Sequence, residues 1–226
     1  MSEKTKANHK LIEKELYRTL RSNIEFTGVE NRVIALTSCR PNDGKSTVVY
    51  ELSCMFAEEG KQCIIVDADM RKSVLAERLG LKKIKGGLSD LLSGQKTTEP
   101  VLMELDHPNL YLIPSGKFPP NPTELLANER FMVLISELRE RFDYVIIDTP
   151  PLGNVIDAAV IAKRCDGSIL VLPSDLYSYK EVAGVKEQLY LANPNILGVV
   201  LNQFNIKRNG HSQKGYYGRY SSKYYT

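Results

Sequence analysis

The sequence has no long apolar run and no apolar segment near its start. Its uninterrupted apolar runs, such as Val145-Ile146-Ile147, are far shorter than the roughly 18 residues that a membrane-spanning helix requires. The first residues, Met1-Ser2-Glu3-Lys4, are followed by no apolar stretch, so we expect no signal peptide. These absences argue against a secreted or membrane-spanning protein.

Cysteine and unbalanced charge are also scarce. The four cysteines, at positions 39, 54, 63 and 165, show no CxxC pair and no metal-ligand spacing. This excludes a zinc ribbon and favours a reducing cytoplasm. The formal net charge is only +3, which is too small to indicate a nucleic-acid partner. The 226 residues, 42% of them hydrophobic, are enough for one globular domain with short arms.

The C-terminal segment 207–226 differs from the rest of the chain. It contains five Lys/Arg residues, no Asp or Glu, and no aliphatic side chain beyond Ile206. Such a segment cannot bury a core, so we expect a flexible basic tail. Five of the 12 tyrosines fall in its last 11 residues: Tyr216, Tyr217, Tyr220, Tyr224 and Tyr225.

The middle of the chain alternates between short apolar runs and amphipathic stretches. Apolar runs without polar alternation, joined by helices, indicate a mostly parallel sheet covered on both faces, and thus the α/β class. The predicted strands are 33–36, 63–66, 110–113, 144–147, 168–172 and 196–201, and the main predicted helices are 8–26, 46–59, 131–142, 157–164 and 178–192.

A candidate phosphate-binding loop follows the first predicted strand. It reads Cys39-Arg40-Pro41-Asn42-Asp43-Gly44-Lys45-Ser46 and leads into a helix, where backbone N–H groups and the helix N-terminus bind anions. In the usual pattern the glycine allows close approach, the lysine reaches the β- and γ-phosphates, and the serine binds Mg²⁺. Cys39 stands where the pattern begins with glycine.

Three aspartates follow other predicted strands. Asp67 and Asp69 come after one strand and Asp148 after another, and ligands of parallel sheets bind at these carboxyl ends. Carboxylates suit Mg²⁺, directly or through water, and one of them can instead accept a proton from a hydroxyl. Each aspartate alone could be a turn or helix-cap residue, but together they predict an ATP–Mg²⁺ site.

The combination resembles the bacterial tyrosine kinases of capsule and exopolysaccharide operons, in the Gram-positive form whose membrane adaptor is a separate chain. The resemblance implies a P-loop NTPase fold of the deviant-Walker class that includes the MinD and ParA ATPases. It is carried by the phosphate loop, by Asp67-x-Asp69-x-Arg71, by Asp148-Thr149-Pro150-Pro151, and by motifs at Glu15-x-x-Arg18-x-x-Arg21, Pro119-Pro120-Asn121-Pro122, Asp157-Ala158, 198–202 and the tyrosine cluster.

The resemblance implies a role for each matching residue. Lys45 would bind phosphate, and Ser46, Asp69 and Asp148 would hold Mg²⁺. Asp67 would be the base that deprotonates the acceptor tyrosine, and Asn202 would contact adenine. The nucleotide-binding set that we expect is Pro41, Asn42, Asp43, Gly44, Lys45, Ser46, Thr47 and Asn202.

The resemblance also implies partners and an organisation of the chain. Residues 1–30 would form a helical arm that docks on the next subunit of a ring through Glu15, Arg18 and Arg21. Residues 31–206 would form the kinase domain, and residues 207–226 the tail that subunits phosphorylate in trans. A membrane adaptor would hold this cytoplasmic protein at the inner face of the membrane, a cognate phosphatase would reverse the reaction, and no nucleic acid would be involved.

Several readings compete with these expectations. The charged residues of the arm could form a solvated helix face and nothing more. Arg40 occupies the position where partitioning and division-site ATPases carry a lysine that crosses a dimer interface, so a nucleotide-switched ATPase is the alternative to a kinase. Arg40 could also be an ordinary exposed loop residue, and Cys39 either an oxidation-sensitive group or a small packing residue. A scaffold that only displays tyrosines is a third alternative.

Overall fold

A seven-stranded sheet organises the fold in the computed structural model, which describes residues 3–174 and 176–203. The strand order is β3-β4-β2-β5-β1-β6-β7, and every pairing is parallel except that of β3 with β4. The strands are β1 Val33–Ser38, β2 Cys63–Asp67, β3 Met103–Glu104, β4 Leu110–Ile113, β5 Tyr144–Asp148, β6 Gly167–Pro173 and β7 Ile196–Asn202.

Helices connect the strands and pack on the sheet. Two short helices lie between β2 and β3, and the longer ones follow the predicted pattern. The helices are α1 Glu3–Phe26, α2 Lys45–Glu58, α3 Leu75–Arg78, α4 Leu88–Leu92, α5 Pro122–Ala127, α6 Glu129–Arg141, α7 Asp157–Ala162 and α8 Tyr179–Ala192.

The central strands are buried on both faces. Within β1, Val33 and Ala35 pack into a core layer with α6, whereas Ile34 and Leu36 pack into another layer with α2. This alternation follows from the two-residue period of a strand. A parallel sheet with a helix layer on each face is the α/β architecture expected from the sequence, and the predicted fold class is confirmed.

The outer strands depart from the prediction. Strand β3 has only two residues and carries no pattern that a sequence reading could detect. Strand β7 lies at the opposite edge, where Val199 is 53% exposed and Leu201 is 63% exposed. The described helices therefore cover the central strands on both faces but leave part of β7 exposed.

The N-terminal helix belongs to the same packed unit as the sheet. Ile24 of α1 is buried in the core layer that contains α2, and Lys14 Nζ lies 2.8 Å from Glu58 Oε1. Within the described ranges, no helix is both long enough and apolar enough to span a membrane. The tail 207–226 lies outside the described residues, so the domain boundaries proposed from the sequence remain predictions.

Candidate active site

The phosphate-binding loop joins β1 to α2 in a left-handed turn. Asn42 has φ 69° and Gly44 has φ 86°, a region that favours glycine. A Cβ on Gly44 would lie 1.9 Å from Asn202 Nδ2, so any other residue there would both strain the left-handed backbone and displace the Asn202 amide. Gly44 is also the N-cap residue of α2, and no described side chain caps this helix end. Its first N–H groups therefore remain available to an anion.

Lys45 lies among carboxylates below this loop. Its ammonium is 2.6 Å from Asp148 Oδ1 and 4.0 Å from Asp69 Oδ2, and it donates to Ser46 Oγ at 3.3 Å. The lysine is only 7% exposed. A buried ammonium needs such partners, because an unpaired charge in the interior is costly.

The strand register places Asp67 beside Asp148. The two residues are paired across β2 and β5, so their carboxylates end the same edge of the sheet. Burial, followed by the charge of Asp148, raises the pKa of Asp67, while a hydrogen bond from Ser73 Oγ to Asp67 Oδ2 opposes that rise. Its other oxygen, Oδ1, is buried and has no hydrogen-bond partner among the described residues.

Asp69 lies two residues beyond Asp67 and is held from its own loop. The backbone N–H of Lys72 donates to Asp69 Oδ1 at 3.0 Å. Burial raises the pKa of Asp69, and the ammonium of Lys45 opposes that rise. The structure thus brings together all three aspartates that the sequence singled out.

These groups suit a magnesium-bound nucleotide. The uncapped helix end and the left-handed loop provide N–H donors for phosphate, and the free oxygen of Asp67 is an acceptor without a partner. Within the described ranges, no group of three or more His, Cys, Asp or Glu residues has the geometry to hold a metal by itself. In nucleotide sites Mg²⁺ usually keeps several waters and binds one or two carboxylates together with phosphate oxygens.

Sequence reasoning missed a side-chain network beside the aspartates. Asp157, at the start of α7, accepts two hydrogen bonds from Arg71, at 2.6 Å from Nε and 3.2 Å from Nη2, and one at 2.6 Å from Thr123 Oγ1. Arg71 ends the Asp67-x-Asp69-x-Arg71 motif and Thr123 lies in α5. The network fixes the loop after β2 against two helices. Arg71 and Asp157 were visible as parts of motifs, but nothing in the sequence indicated their pairing.

Comparison with known proteins identifies the relatives of this chain. Residues 31–194 match the family model described as an AAA domain. Over 209 residues the chain is 39% identical to tyrosine-protein kinase CpsD of Streptococcus agalactiae, covering 92% of this chain and 91% of the relative. The chain belongs to the bacterial tyrosine-protein kinase family.

Solved structures place the kinase family within a wider fold group. The kinase domain of Escherichia coli tyrosine kinase ETK superposes with a TM-score of 0.80 at 32% identity, covering 84% of this chain and 74% of that one. The septum site-determining protein MinD of Pyrococcus horikoshii, solved with Mg-ADP, superposes with a TM-score of 0.66 at 27% identity, covering 77% and 71%. The predicted P-loop class is therefore confirmed.

The remaining predicted residues of this kinase-family chain lie in two places. Asn202 and Gln203, at the end of β7, donate to the backbone carbonyls of Asp43 and Asn42 at 3.0 and 2.9 Å. Asn202 thus contacts the phosphate loop, and its adenine contact remains a prediction. Of the other loop residues, Pro41 is exposed and Thr47 is half-buried.

Each residue that is predicted to close a ring of subunits forms an ion pair within its own chain. On α1, Arg18 forms an ion pair with Glu15, and Arg21 Nη1 lies 2.5 Å from Glu59 Oε1. Arg21 is only 13% exposed, whereas Glu15 and Arg18 are nearly half-exposed. The five tail tyrosines lie outside the described residues.

Proposed function

We propose that this kinase transfers the γ-phosphoryl group of ATP to the tyrosines of its own C-terminal tail, in trans within an oligomer, and so regulates capsular or exopolysaccharide synthesis. The observation that carries the proposal is the convergence of three aspartates on Lys45 beside an uncapped helix N-terminus. The basic, tyrosine-rich sequence of residues 207–226 supplies the acceptor.

The proposed phosphoryl transfer has two requirements. Lys45 and the loop amides stabilise charge, and Asp67 accepts a proton. Phosphoryl transfer depends mainly on positioning and charge stabilisation, which the loop N–H groups and the Lys45 ammonium provide. The reference pKa of tyrosine is about 10, so a base assists by taking the proton of the attacking hydroxyl. Asp67 suits that task because its Oδ1 is unpartnered among the described residues and its raised pKa makes it a better proton acceptor.

Ser46, Asp69 and Asp148 are the residues that we assign to the magnesium ion. When bound, Mg²⁺ neutralises charge on the β- and γ-phosphates. The ammonium of Lys45 lies next to Asp148 and Asp69, so both carboxylates face the same positive charge. Two carboxyl groups and a hydroxyl, all close to one edge of the sheet, are oxygen donors of the kind that Mg²⁺ accepts.

The ring proposal rests on the exposed part of α1. Glu15 and Arg18 are accessible to a neighbouring subunit, whereas Arg21 packs against α2. We expect the charge reversal Arg18→Glu to lower the oligomeric mass measured by light scattering. Arg141→Glu, on α6 and outside α1, is the matched control and keeps the mass. An unchanged mass for Arg18→Glu would mean that the charged residues of α1 form a solvated helix face and do not contact a neighbouring subunit.

Phosphorylation of the tail would reverse its charge. Each phosphate adds about −1.5 to −2, so three or more would outweigh the five positive side chains or nearly so. We expect this reversal to loosen the ring and a cognate phosphatase to restore it. We also expect a membrane adaptor to hold this cytoplasmic kinase at the inner face of the membrane. A fully phosphorylated form with the same oligomeric mass as the unmodified one would contradict the charge argument.

Intact mass spectrometry after incubation with Mg-ATP, with and without the cytoplasmic segment of the adaptor, tests the activity. We expect phosphate additions on the full chain and none on Lys45→Met or on a form truncated after Asn209. ATP consumption without any gain in mass, with the adaptor segment present, would instead support the nucleotide-switched ATPase.

A further inference from the structure

A tyrosine outside the tail contacts the phosphate-binding loop. Tyr177 lies in the connection between β6 and α8, and its hydroxyl donates to Asp43 Oδ1 at 2.5 Å. The other carboxylate oxygen, Asp43 Oδ2, accepts from the backbone N–H of Arg40 at 2.9 Å. Asp43 is buried, and each of its carboxylate oxygens accepts a hydrogen bond from within the protein.

Arg40 completes this contact from the exposed side. Its guanidinium lies over the ring of Tyr177, 5.1 Å from the centroid, and forms an ion pair with Glu181. Glu181 is itself fixed, because it forms the capping box of α8 with Ser178. Arg40 is therefore engaged within its own chain, and the first turn of α8 is connected to the phosphate loop through Tyr177.

The negative charge of Asp43 is the reason that these contacts bear on nucleotide binding. A carboxylate within a loop that binds the phosphates of ATP repels the ligand unless it is turned away, because like charges at short range cost free energy in a poorly solvated site. The Tyr177 hydroxyl and the Arg40 amide hold the carboxylate on the side of the loop that faces α8. Burial and the bond to Asp43 raise the pKa of Tyr177, so its hydroxyl remains a donor.

We propose that Tyr177 is a positioning residue for nucleotide binding, which holds the carboxylate of Asp43 away from the phosphates and so sets the affinity for ATP. This inference rests on the proposed ATP-dependent activity and adds to it a residue that lies outside the motifs. It also links the affinity for ATP to the first turn of α8, because Glu181 and Arg40 hold the ring of Tyr177 in place.

The test compares four variants of the full chain by calorimetric titration with Mg-ATP and by the kinetics of tail phosphorylation. Tyr177→Phe removes only the hydroxyl, and we expect Kd and KM for ATP to rise about tenfold, as the loss of one hydrogen bond to a charged group implies, with kcat little changed. Tyr179→Phe is the matched control, because Tyr179 is 90% exposed and should bind ATP like the unmodified chain.

The double variant separates positioning from a general structural role. Asp43→Asn removes the charge that must be held away, so Tyr177→Phe/Asp43→Asn should recover ATP affinity to within about threefold of the unmodified chain. Asp43→Asn alone completes the double-mutant cycle, in which Tyr177→Phe should raise Kd for ATP less in the Asp43→Asn background than in the unmodified chain. Unchanged affinity in Tyr177→Phe, or a double variant no better than the single one, would overturn the inference. Failure of the unmodified chain to bind Mg-ATP at all would overturn the proposed function itself.

Discussion

The ammonium of Lys45 lies 2.6 Å from Oδ1 of Asp148, and both side chains are almost wholly buried. Removing one partner of a buried pair leaves an uncompensated charge, which costs about 3–5 kcal/mol. The pair is therefore important to stability as well as to the proposed catalysis. The two contributions can be separated by mutation.

We expect Lys45→Met to lower the free energy of unfolding by about 3 kcal/mol and to abolish tail phosphorylation. Lys45→Met/Asp148→Asn should recover much of the stability, because the carboxylate nearest to the lost ammonium is neutralised with it, yet should stay inactive. Urea denaturation and intact-mass measurement on both variants provide the check. A double variant as unstable as the single one would show that the ion pair is not the source of the loss.

The hydrogen bond from Ser73 to Asp67 predicts a change in pH dependence. Asp67 must be deprotonated to act as a base, so activity should rise with pH as the pH passes through its pKa. The Ser73 hydroxyl lowers that pKa against the effect of burial. Its loss in Ser73→Ala should therefore move the acid limb of kcat/KM to higher pH. Ser73→Thr, which keeps the hydroxyl, should retain the original profile.

The raised pKa of Asp67 also affects stability. As pH rises, activity should increase whereas stability should decrease. Because the pKa of Asp67 is raised in the folded state, the folded protein disfavours its charged form, and Asp67 destabilises the fold progressively as pH rises through the folded pKa. Ser73→Ala should therefore lose more stability above that pKa than below it. Melting temperatures over a pH series measure this difference. If the loss of stability does not depend on pH and the acid limb of kcat/KM does not move, Asp67 is not the group whose titration controls activity.

Two glycines with the same backbone strain provide a matched comparison. Gly44 has φ 86° and Gly60 has φ 78°, but a Cβ would meet Asn202 Nδ2 at 1.9 Å in the first and nothing within 4 Å in the second. Gly60→Ala should cost only the left-handed strain of about 1–2 kcal/mol and leave nucleotide binding intact. Gly44→Ala should cost more and lose Mg-ATP binding in a calorimetric titration. Equal effects of the two substitutions would mean that the approach of Asn202 is unimportant.

The Arg71–Asp157 pair should contribute more to the free energy of unfolding than an exposed pair of arginine with an acidic residue. Asp157 is buried and accepts three hydrogen bonds, so Arg71→Lys, which loses the two-point contact, should lower the free energy of unfolding by about 2 kcal/mol. Arg141→Lys, in its exposed pairs with Glu99 and Glu137, should change it by less than about 1 kcal/mol. Denaturant titrations of both variants make the comparison, and equal losses would contradict it.

The sequence predicted what is periodic or local. Six of the strands, the position of the phosphate loop and the convergence of Asp67, Asp69 and Asp148 follow from apolar runs and from the rule that parallel strands end at one edge. Gly60, just after α2, has φ 78°, the left-handed conformation with which a glycine commonly ends a helix. Each of these features leaves a mark within a few residues of the chain.

The features that the sequence did not indicate are long-range pairings of side chains. Tyr177 and Asp43 are separated by 134 positions, and Arg71 and Asp157 by 86. A tyrosine in a loop has no periodicity, and its partner is determined only when the sheet order places β6 beside β1. The exposed face of β7 depended on the order of the strands in the same way.

The attachment of β7 to the phosphate loop determines where the tail starts. Asn202 and Gln203 are bonded to the carbonyls of that loop, so residue 204 follows in the chain directly from the proposed nucleotide site. At no more than about 3.6 Å per residue, the length of chain from 204 to 226 can reach at most about 80 Å. Length alone therefore allows the tyrosines proposed as acceptors to return to their own site as well as to reach a neighbour's. The choice between the two depends on effective concentration, and dilution of the kinase would distinguish a first-order from a second-order reaction.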